Sequence, residues 1–389
     1  MLAPDTTLQG RYRVVRQLGR GGMGTVYEAR ALRLNATVAL KETHFEDERL
    51  RRQFEREAQL LANLRHPALP RVTDHFDESN GLYLVMDFVE GDDLWEMLKR
   101  RAAPFPRADV VSWAGQLLDA LGYLHAQQPP VIHRDIKPQN LKLAGDGRLM
   151  LLDFGLAKGM SDAAQSLVSS RTVMGFSLPY APLEQILQVD ESSREQLSVL
   201  NPREVERVRR AGTDARSDLY SAGATLLHLL TARVPVTSPT RATSLWSNRA
   251  DPLEDALARG VPESLRAFIR RSMALDSEQR FASAAEMRDA LRDATEGVEA
   301  GAVLMPTVVD NATRLTRPPE GSRHAAPTPQ TTRPDSSTRL APPARDSRQG
   351  GKSRSRFVTA GVIIASVVMA SEGWTTESPP SKGGARAGY

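Results

Sequence analysis

The sequence predicts an α+β chain of two unequal lobes: a small antiparallel β-sheet carrying one helix, then a mainly helical lobe. Three observations carry this. A chain of 389 residues is longer than one core usually holds, so it divides. Residues 12 to about 88 are short β-branched and aromatic runs separated by turns. From Gly91 onward apolar residues recur instead at three- and four-residue spacing.

The elements follow in order. YRVVRQL, TVYEA, TVAL and LYLVMDF read as strands. Between residues 47 and 64, Leu50, Phe54, Ala58, Leu61 and Leu64 fall on one face of an amphipathic helix with a charged outer face. VVSWAGQLLDALGYLH, DLYSAGATLLHLL and SLRAFIRRSMALD read as helices of the second lobe, with NLKLA and RLMLLD as two short strands among them. The expected boundaries are an N-terminal extension over 1–11 and a domain over 12–295, its lobes at 12–90 and 91–295. A linker follows over 296–356, an anchor over 357–374 and a short tail over 375–389.

Composition excludes more than it names. Apolar residues at 40% and charged residues at 25% are ordinary for a globular chain. The net charge of +4 is concentrated, because residues 311–356 hold ten Lys/Arg against three Asp/Glu, together with seven prolines and no apolar periodicity. That segment cannot bury enough surface to fold alone, and it accounts for the high pI without a basic groove on folded elements. No nucleic-acid partner is expected. There is no cysteine, which removes disulfides, thiolate metal sites and cysteine nucleophiles. The first residues carry no apolar stretch of signal-peptide length, so the folded lobes are expected on the cytoplasmic side.

Residues 357–371 are apolar for 15 positions behind Arg345, Arg348, Lys352, Arg354 and Arg356. A spanning helix needs about 17 to 25 residues, a length reached when Glu372, Gly373 and Trp374 lie in the interface. The segment predicts one membrane anchor with its basic flank inside. An interfacial or partner-binding segment is the competing reading.

Leu18-Gly19-Arg20-Gly21-Gly22-Met23-Gly24-Thr25-Val26 holds a G-x-G-x-x-G pattern, in which missing side chains let backbone N–H groups approach phosphate oxygens. A dinucleotide site would place these glycines between a strand and a helix. Here strand-like sequence follows, so they read as a flap within a hairpin. Val38-Ala39-Leu40-Lys41 puts a lysine among apolar strand neighbours, where an ammonium needs an anionic partner. Glu57, sixteen residues on and on the inner face of the following helix, is the natural candidate.

His133-Arg134-Asp135-Ile136-Lys137-Pro138-Gln139-Asn140, followed thirteen residues after Asn140 by Asp153-Phe154-Gly155, is highly specific. Here the chain resembles the eukaryotic-type protein kinases, in their bacterial serine/threonine branch, over residues 12 to about 291. The resemblance implies the bilobal protein-kinase fold and transfer of the γ-phosphoryl of ATP to protein Ser/Thr hydroxyls. By it, Asp135 accepts the hydroxyl hydrogen and Lys137 holds the γ-phosphate. Asn140 and Asp153 supply oxygen ligands to Mg²⁺ or Mn²⁺, and Lys41, paired with Glu57, grips the α- and β-phosphates.

It also implies an adenine between Leu18, Val26 and Ala39 above and the lower lobe beneath, under a flap formed by Gly19, Gly21, Gly22 and Gly24. The hinge runs over Asp87 to Val89 after Met86, with Asp93 near the ribose. Lys142 stands where related kinases place an apolar residue under the purine. Either its stem packs there with the ammonium turned outward, or the pocket is altered.

Asp218 resembles the buried aspartate that braces the catalytic loop, and Arg280 resembles the partner of a glutamate, which would be Glu184. Ala181-Pro182-Leu183-Glu184 departs from the family by one residue inserted into Ala-Pro-Glu, and residues 186–212 form a longer connection than usual, with a charged helix near 202–210. Arg134 resembles the arginine that pairs with phosphate on the activation segment, where Ser169, Ser170 and Thr172 are candidate autophosphorylation sites. Ser177 takes the place of a threonine that sets the substrate hydroxyl. Thr307, followed by Val-Val-Asp310, would once phosphorylated suit a forkhead-associated domain. A homodimer through the upper lobe follows from resemblance alone. A scaffold without chemistry would lack one of Lys41, Asp135, Asn140 or Asp153, and all four are present.

Overall fold

The upper sheet of the computed structural model has six strands in the order β1-β2-β3-β4-β6-β5, each antiparallel to its neighbours. The structure describes residues 1–21, 24–44, 48–79, 81–153 and 177–299. In chain order the strands are β1 (Thr7–Leu8), β2 (Tyr12–Gly21), β3 (Gly24–Ala31), β4 (Ala36–His44), β5 (Val72–Glu78) and β6 (Gly81–Asp87). On β3, Thr25, Tyr27, Ala29 and Ala31 are buried and the residues between them half-buried, the alternation of a sheet packed on one face. The outer face carries a core of Leu8, Val14, Tyr27, Leu40, Tyr83 and Val85. Inside it the Glu42 carboxylate is buried, and Tyr27 and Tyr83 hydroxyls donate to it, each at 2.9 Å.

The register decides what lies on the other face. Val26 and Leu84 stand opposite Lys41, and Met86 opposite Ala39. Cross-strand partners share a face, and so do residues two apart on one strand, so Val26, Ala39, Lys41, Leu84 and Met86 form one patch. Helix α1 (Glu48–Ala62) follows β4 and buries Phe54, Ala58 and Leu61 in the large core shared with the helical lobe.

That lobe centres on α7 (Ala215–Thr231), which buries every residue from Ser217 to Leu230 and is therefore enclosed all round. Before it come α2 (Leu94–Arg101), α3 (Arg107–His125), the β7–β8 hairpin (Leu141–Leu143 and Leu149–Leu151), α4 (Leu183–Val189), α5 (Glu191–Leu200) and α6 (Pro202–Ala211). After it come α8 (Ser238–Trp246), α9 (Pro252–Gly260), α10 (Glu263–Ser272) and α11 (Ala284–Glu299). Helices α5 and α6 occupy the long connection, and their Leu197, Val205 and Val208 join Leu183 and Leu187 in a separate buried cluster.

Three features differ from expectation. The first residues belong to the sheet, because Thr7 and Leu8 pair with β2 and Leu8 is buried. Strand β5 was not expected: VTDHFDE is polar because it is an edge strand with much of its surface in water. Helix α11 runs to Glu299, four residues past the expected boundary, and the Thr295 hydroxyl donates to the Leu291 carbonyl at 3.1 Å without breaking it. Among the described residues no helix is long and apolar enough to cross a membrane. The expected linker and anchor lie outside those residues, as do Gly22, Phe154, Gly155, Ser169, Ser170, Thr172 and Thr307.

Candidate active site

The site begins at the hairpin of β2 and β3, whose last paired residues are Gly21 and Gly24. Gly24 has φ +138°, and a Cβ there would meet the Glu42 carbonyl oxygen of β4. Glycine is the residue that permits both the backbone angle and the contact. Behind the hairpin Lys41 is 7% exposed, and its ammonium pairs with the Asp153 carboxylate and not with Glu57, the partner expected from the sequence; Asp153 supplies the anion that a buried ammonium requires. Glu57 lies half-buried on α1 between Phe54 and Ala58.

Below, the segment from His133 to Asn140 is held by one buried carboxylate. Asp218 is fully buried, and its two oxygens accept from the backbone N–H groups of His133 and Arg134 at 2.8 Å each. His125 at the end of α3 adds a third contact through Nε2 at 2.9 Å. Arg134 and Asp153 both have positive φ, +62° and +63°, which non-glycine residues keep only where the surroundings impose it. Further restraints on Arg134 come from Gln185, whose Nε2 donates to its carbonyl at 3.0 Å, and from Thr213 at its guanidinium.

His133 is buried and neutral. Burial pushes its pKa below the ordinary histidine value, with Asp218 and Asp135 opposing. Its Nδ1 accepts from the Asp135 N–H at 3.3 Å, which leaves the proton on Nε2 to donate to the Leu152 carbonyl at 3.1 Å. The ring therefore ties the loop to the strand end that carries Asp153.

Asp135 is the convergence point. One carboxylate oxygen accepts from the Ser177 hydroxyl at 3.0 Å; the other accepts from Lys137 Nζ at 2.9 Å and Asn140 Nδ2 at 3.0 Å. Lys137 Nζ also donates to Ser177 Oγ at 2.9 Å. Asn140 spends its second Nδ2 hydrogen on the Asp135 carbonyl at 2.7 Å. Both amide hydrogens are thus committed to Asp135, and the carbonyl oxygen is the remaining polar atom of the amide.

The hinge is pinned to β7. Lys142 Nζ donates to the Val89 carbonyl at 3.1 Å, and Lys142 forms an isolated β-bridge with Asp93. Gly91 has φ +103°, and a Cβ there would lie 2.7 Å from the Leu143 carbonyl oxygen. Asp93 caps α2 by accepting from the Glu96 N–H at 2.9 Å, while burial raises its pKa. Leu18 is exposed on β2, next to Gly19, which pairs with Val26.

Lower in the lobe the Glu184 carboxylate meets the Arg280 guanidinium by two bonds of 2.7 and 3.0 Å, both groups buried. His125, Gln185 and Thr213 were not anticipated as restraints on the loop. A polar residue closing an apolar helical run was the available signal for His125. For the other two the partners lie 51 and 79 residues away, and nothing local marks them.

Several known proteins similar to this chain are named as kinases. The family model described as "Protein kinase domain" matches residues 12–292. A serine/threonine-protein kinase of Myxococcus xanthus, pkn2, is 33% identical over 312 residues, 77% of this chain and 34% of its own length. Serine/threonine-protein kinase PknB of Mycobacterium tuberculosis is 31% identical over 292 residues, 72% of this chain and 42% of its own length. The chain thus spans roughly two fifths or less of these relatives. The crystal structure of the Mycobacterium tuberculosis PknI kinase domain superposes with a TM-score of 0.55 at 27% identity, covering 76% of this chain and all of that one. With the sheet, the braced loop and the family match in agreement, the chain belongs to the protein kinase domain family, among bacterial relatives named as serine/threonine kinases.

Proposed function

We propose that the chain transfers the γ-phosphoryl group of ATP to serine and threonine hydroxyls of proteins. The observation that carries this is Ser177: an alcohol already sits 3.0 Å from Asp135 and 2.9 Å from Lys137, a contact that an acceptor hydroxyl would reproduce. In this reading Asp135 accepts the hydroxyl hydrogen while Lys137 offsets charge on the moving phosphoryl. Lys41 grips the α- and β-phosphates beneath the hairpin, with Glu57 behind it. The base lies between Leu18, Val26 and Ala39 and the hinge at Asp87 to Val89.

Asn140 and Asp153 would hold Mg²⁺. Their donors are one amide oxygen and one carboxylate, a hard-oxygen set that suits a small divalent ion completing its shell with phosphate oxygens and water. The ion would neutralise phosphate charge when bound. Arg134 would order the activation segment once Ser169, Ser170 or Thr172 carried phosphate. The basic segment and apolar run after residue 311 would tether the enzyme to a membrane, and phosphorylated Thr307 would recruit forkhead-associated proteins.

The test is label transfer from γ-labelled Mg-ATP by the full chain, with modified residues mapped. Label on Ser or Thr, reduced about 10²- to 10⁴-fold in Asp135→Asn, is expected. An undiminished signal in that variant would sink the assignment of Asp135. Mapping that finds no label at residues 169, 170, 172 or 307 removes the proposed sites, and recovery of all protein in the salt-washed soluble fraction removes the tether.

A further inference from the structure

Ser177 has the surroundings of a nucleophile. Its hydroxyl gives its one hydrogen to Asp135 at 3.0 Å and accepts from Lys137 Nζ at 2.9 Å. A hydroxyl oxygen has two lone pairs, so one is left over. The spacing falls within the range of about 2.6 to 3.2 Å in which a base activates an alcohol. Little water competes for these bonds, because the Lys137 and Asp135 side chains are 15% and 11% exposed.

Both partners are held in place. The Ser177 carbonyl accepts from the N–H groups of Tyr180 at 3.0 Å and Ala181 at 3.1 Å, and both of those residues are buried. Asp135 is fixed through its other oxygen, which accepts from Lys137 and Asn140. The Ser177 side chain itself keeps freedom, since without a β-branch its χ1 turns more readily than that of threonine.

The step beyond this rests on the reading of the cleft as an ATP site in which Lys137 meets the γ-phosphoryl. Lys137 then touches the phosphoryl group and the Ser177 oxygen at once, while Asp135 holds the hydrogen that must leave. We propose that Ser177 is itself an acceptor: with no protein substrate bound, it takes the γ-phosphoryl within its own molecule, and the phosphoserine closes the site. The free lone pair of Oγ forms the bond to the γ-phosphorus. The bond from that phosphorus to the bridging oxygen breaks, and ADP leaves with its electron pair. The hydroxyl hydrogen passes to Asp135 and then to water. The product carries between one and two negative charges at neutral pH, takes Lys137 as its counter-ion and fills the acceptor position beside Asp135. Each chain therefore stops after one such transfer until the phosphate is removed.

The experiment starts from dephosphorylated full chain given Mg-ATP, with phosphate at Ser177 followed by peptide mass. Transfer within one molecule predicts that the fraction modified per minute is unchanged over a tenfold dilution, a result that needs no variant. In a mixture with an Asp135→Asn chain grown in heavy nitrogen, Ser177 of the wild-type chain is expected to carry at least about tenfold more phosphate than Ser177 of the heavy chain, since a held intramolecular acceptor outcompetes one arriving from solution. ADP release by chain filled at Ser177 is expected to be about tenfold or more slower than by dephosphorylated chain, in keeping with loss of a positioned base. A rate that falls with dilution, or equal phosphate on the two chains, overturns transfer within the molecule. Equal ADP release overturns the closure. Label on other Ser or Thr residues with none on Ser177 overturns the proposal and leaves the kinase reading standing. No label on any residue and no ADP release overturns that reading itself.

Discussion

His228 shows how a single side chain couples acidity to stability. It is buried on α7, its Nδ1 lies 2.7 Å from the Tyr180 hydroxyl, and its ring packs edge-on against Trp95. Burial pushes its pKa from 6.5 down to about 4. An unfolded chain takes up this proton near pH 6.5, whereas the folded chain resists until about pH 4. Between those values the unfolded state binds more protons, so stability is full above pH 6.5 and is lost as pH falls toward 4. His133 acts in the same sense, since burial depresses its pKa too. In His228→Gln, which keeps a hydrogen-bonding group for Tyr180 without titrating, urea unfolding is expected to show a stability difference from wild type that is constant above pH 6.5. It should shift in the variant's favour on acidification. A difference independent of pH would refute this assignment.

At the scale of elements, the two departures from the family pattern expected from the sequence meet in one buried cluster. The extra residue in Ala181-Pro182-Leu183-Glu184 is Leu183, and the long connection supplies α5 and α6. Leu183 is fully buried in the cluster that holds Leu197, Val205 and Val208 of those helices. Leu183 is therefore part of the apolar cluster that seats α5 and α6. Glu184 keeps its pair with Arg280 all the same. The outer face of α6 carries Glu204–Arg207 and Glu206–Arg210 pairs, exposed and each worth little. Stability of the segment thus comes from its apolar side. Leu197→Ala is expected to cost about 2 to 5 kcal/mol in urea unfolding. Combined with Leu183→Ala, the losses should depart from additivity by about 0.5 kcal/mol or more, since both residues line one cluster. Strict additivity would mean that the two features are independent. The sequence alone marked α6 by its charged helical run and Leu183 by its misfit, but not the link between them, because apolar spacing shows which face is buried and not what buries it.

Across the whole molecule, the legible parts were those in which chemistry is contiguous. The loop from His133 to Asn140 and the strand carrying Lys41 are short and dense, so residue types and spacing sufficed. Edge strand β5 and the contacts of Gln185 and Thr213 were not legible, because they depend on which distant segments the fold brings together. The proposed ligand draws on the same assembly. Lys41 comes from the upper sheet, and Asp135, Asn140 and Asp153 from the lower lobe, joined by the Lys41–Asp153 pair and the hinge on β7. A ligand that needs all of them binds the folded chain alone and stabilises it by mass action, about 2.7 kcal/mol at a hundredfold excess over its dissociation constant. Mg-ATP is therefore expected to raise the thermal midpoint of the full chain. Chelating the metal with ATP still present should remove most of that shift, because the phosphates would then face the Asp153 carboxylate with only Lys41 to offset the repulsion. An equal shift with and without metal would place the phosphates away from Asn140 and Asp153, and the metal assignment would fall with them.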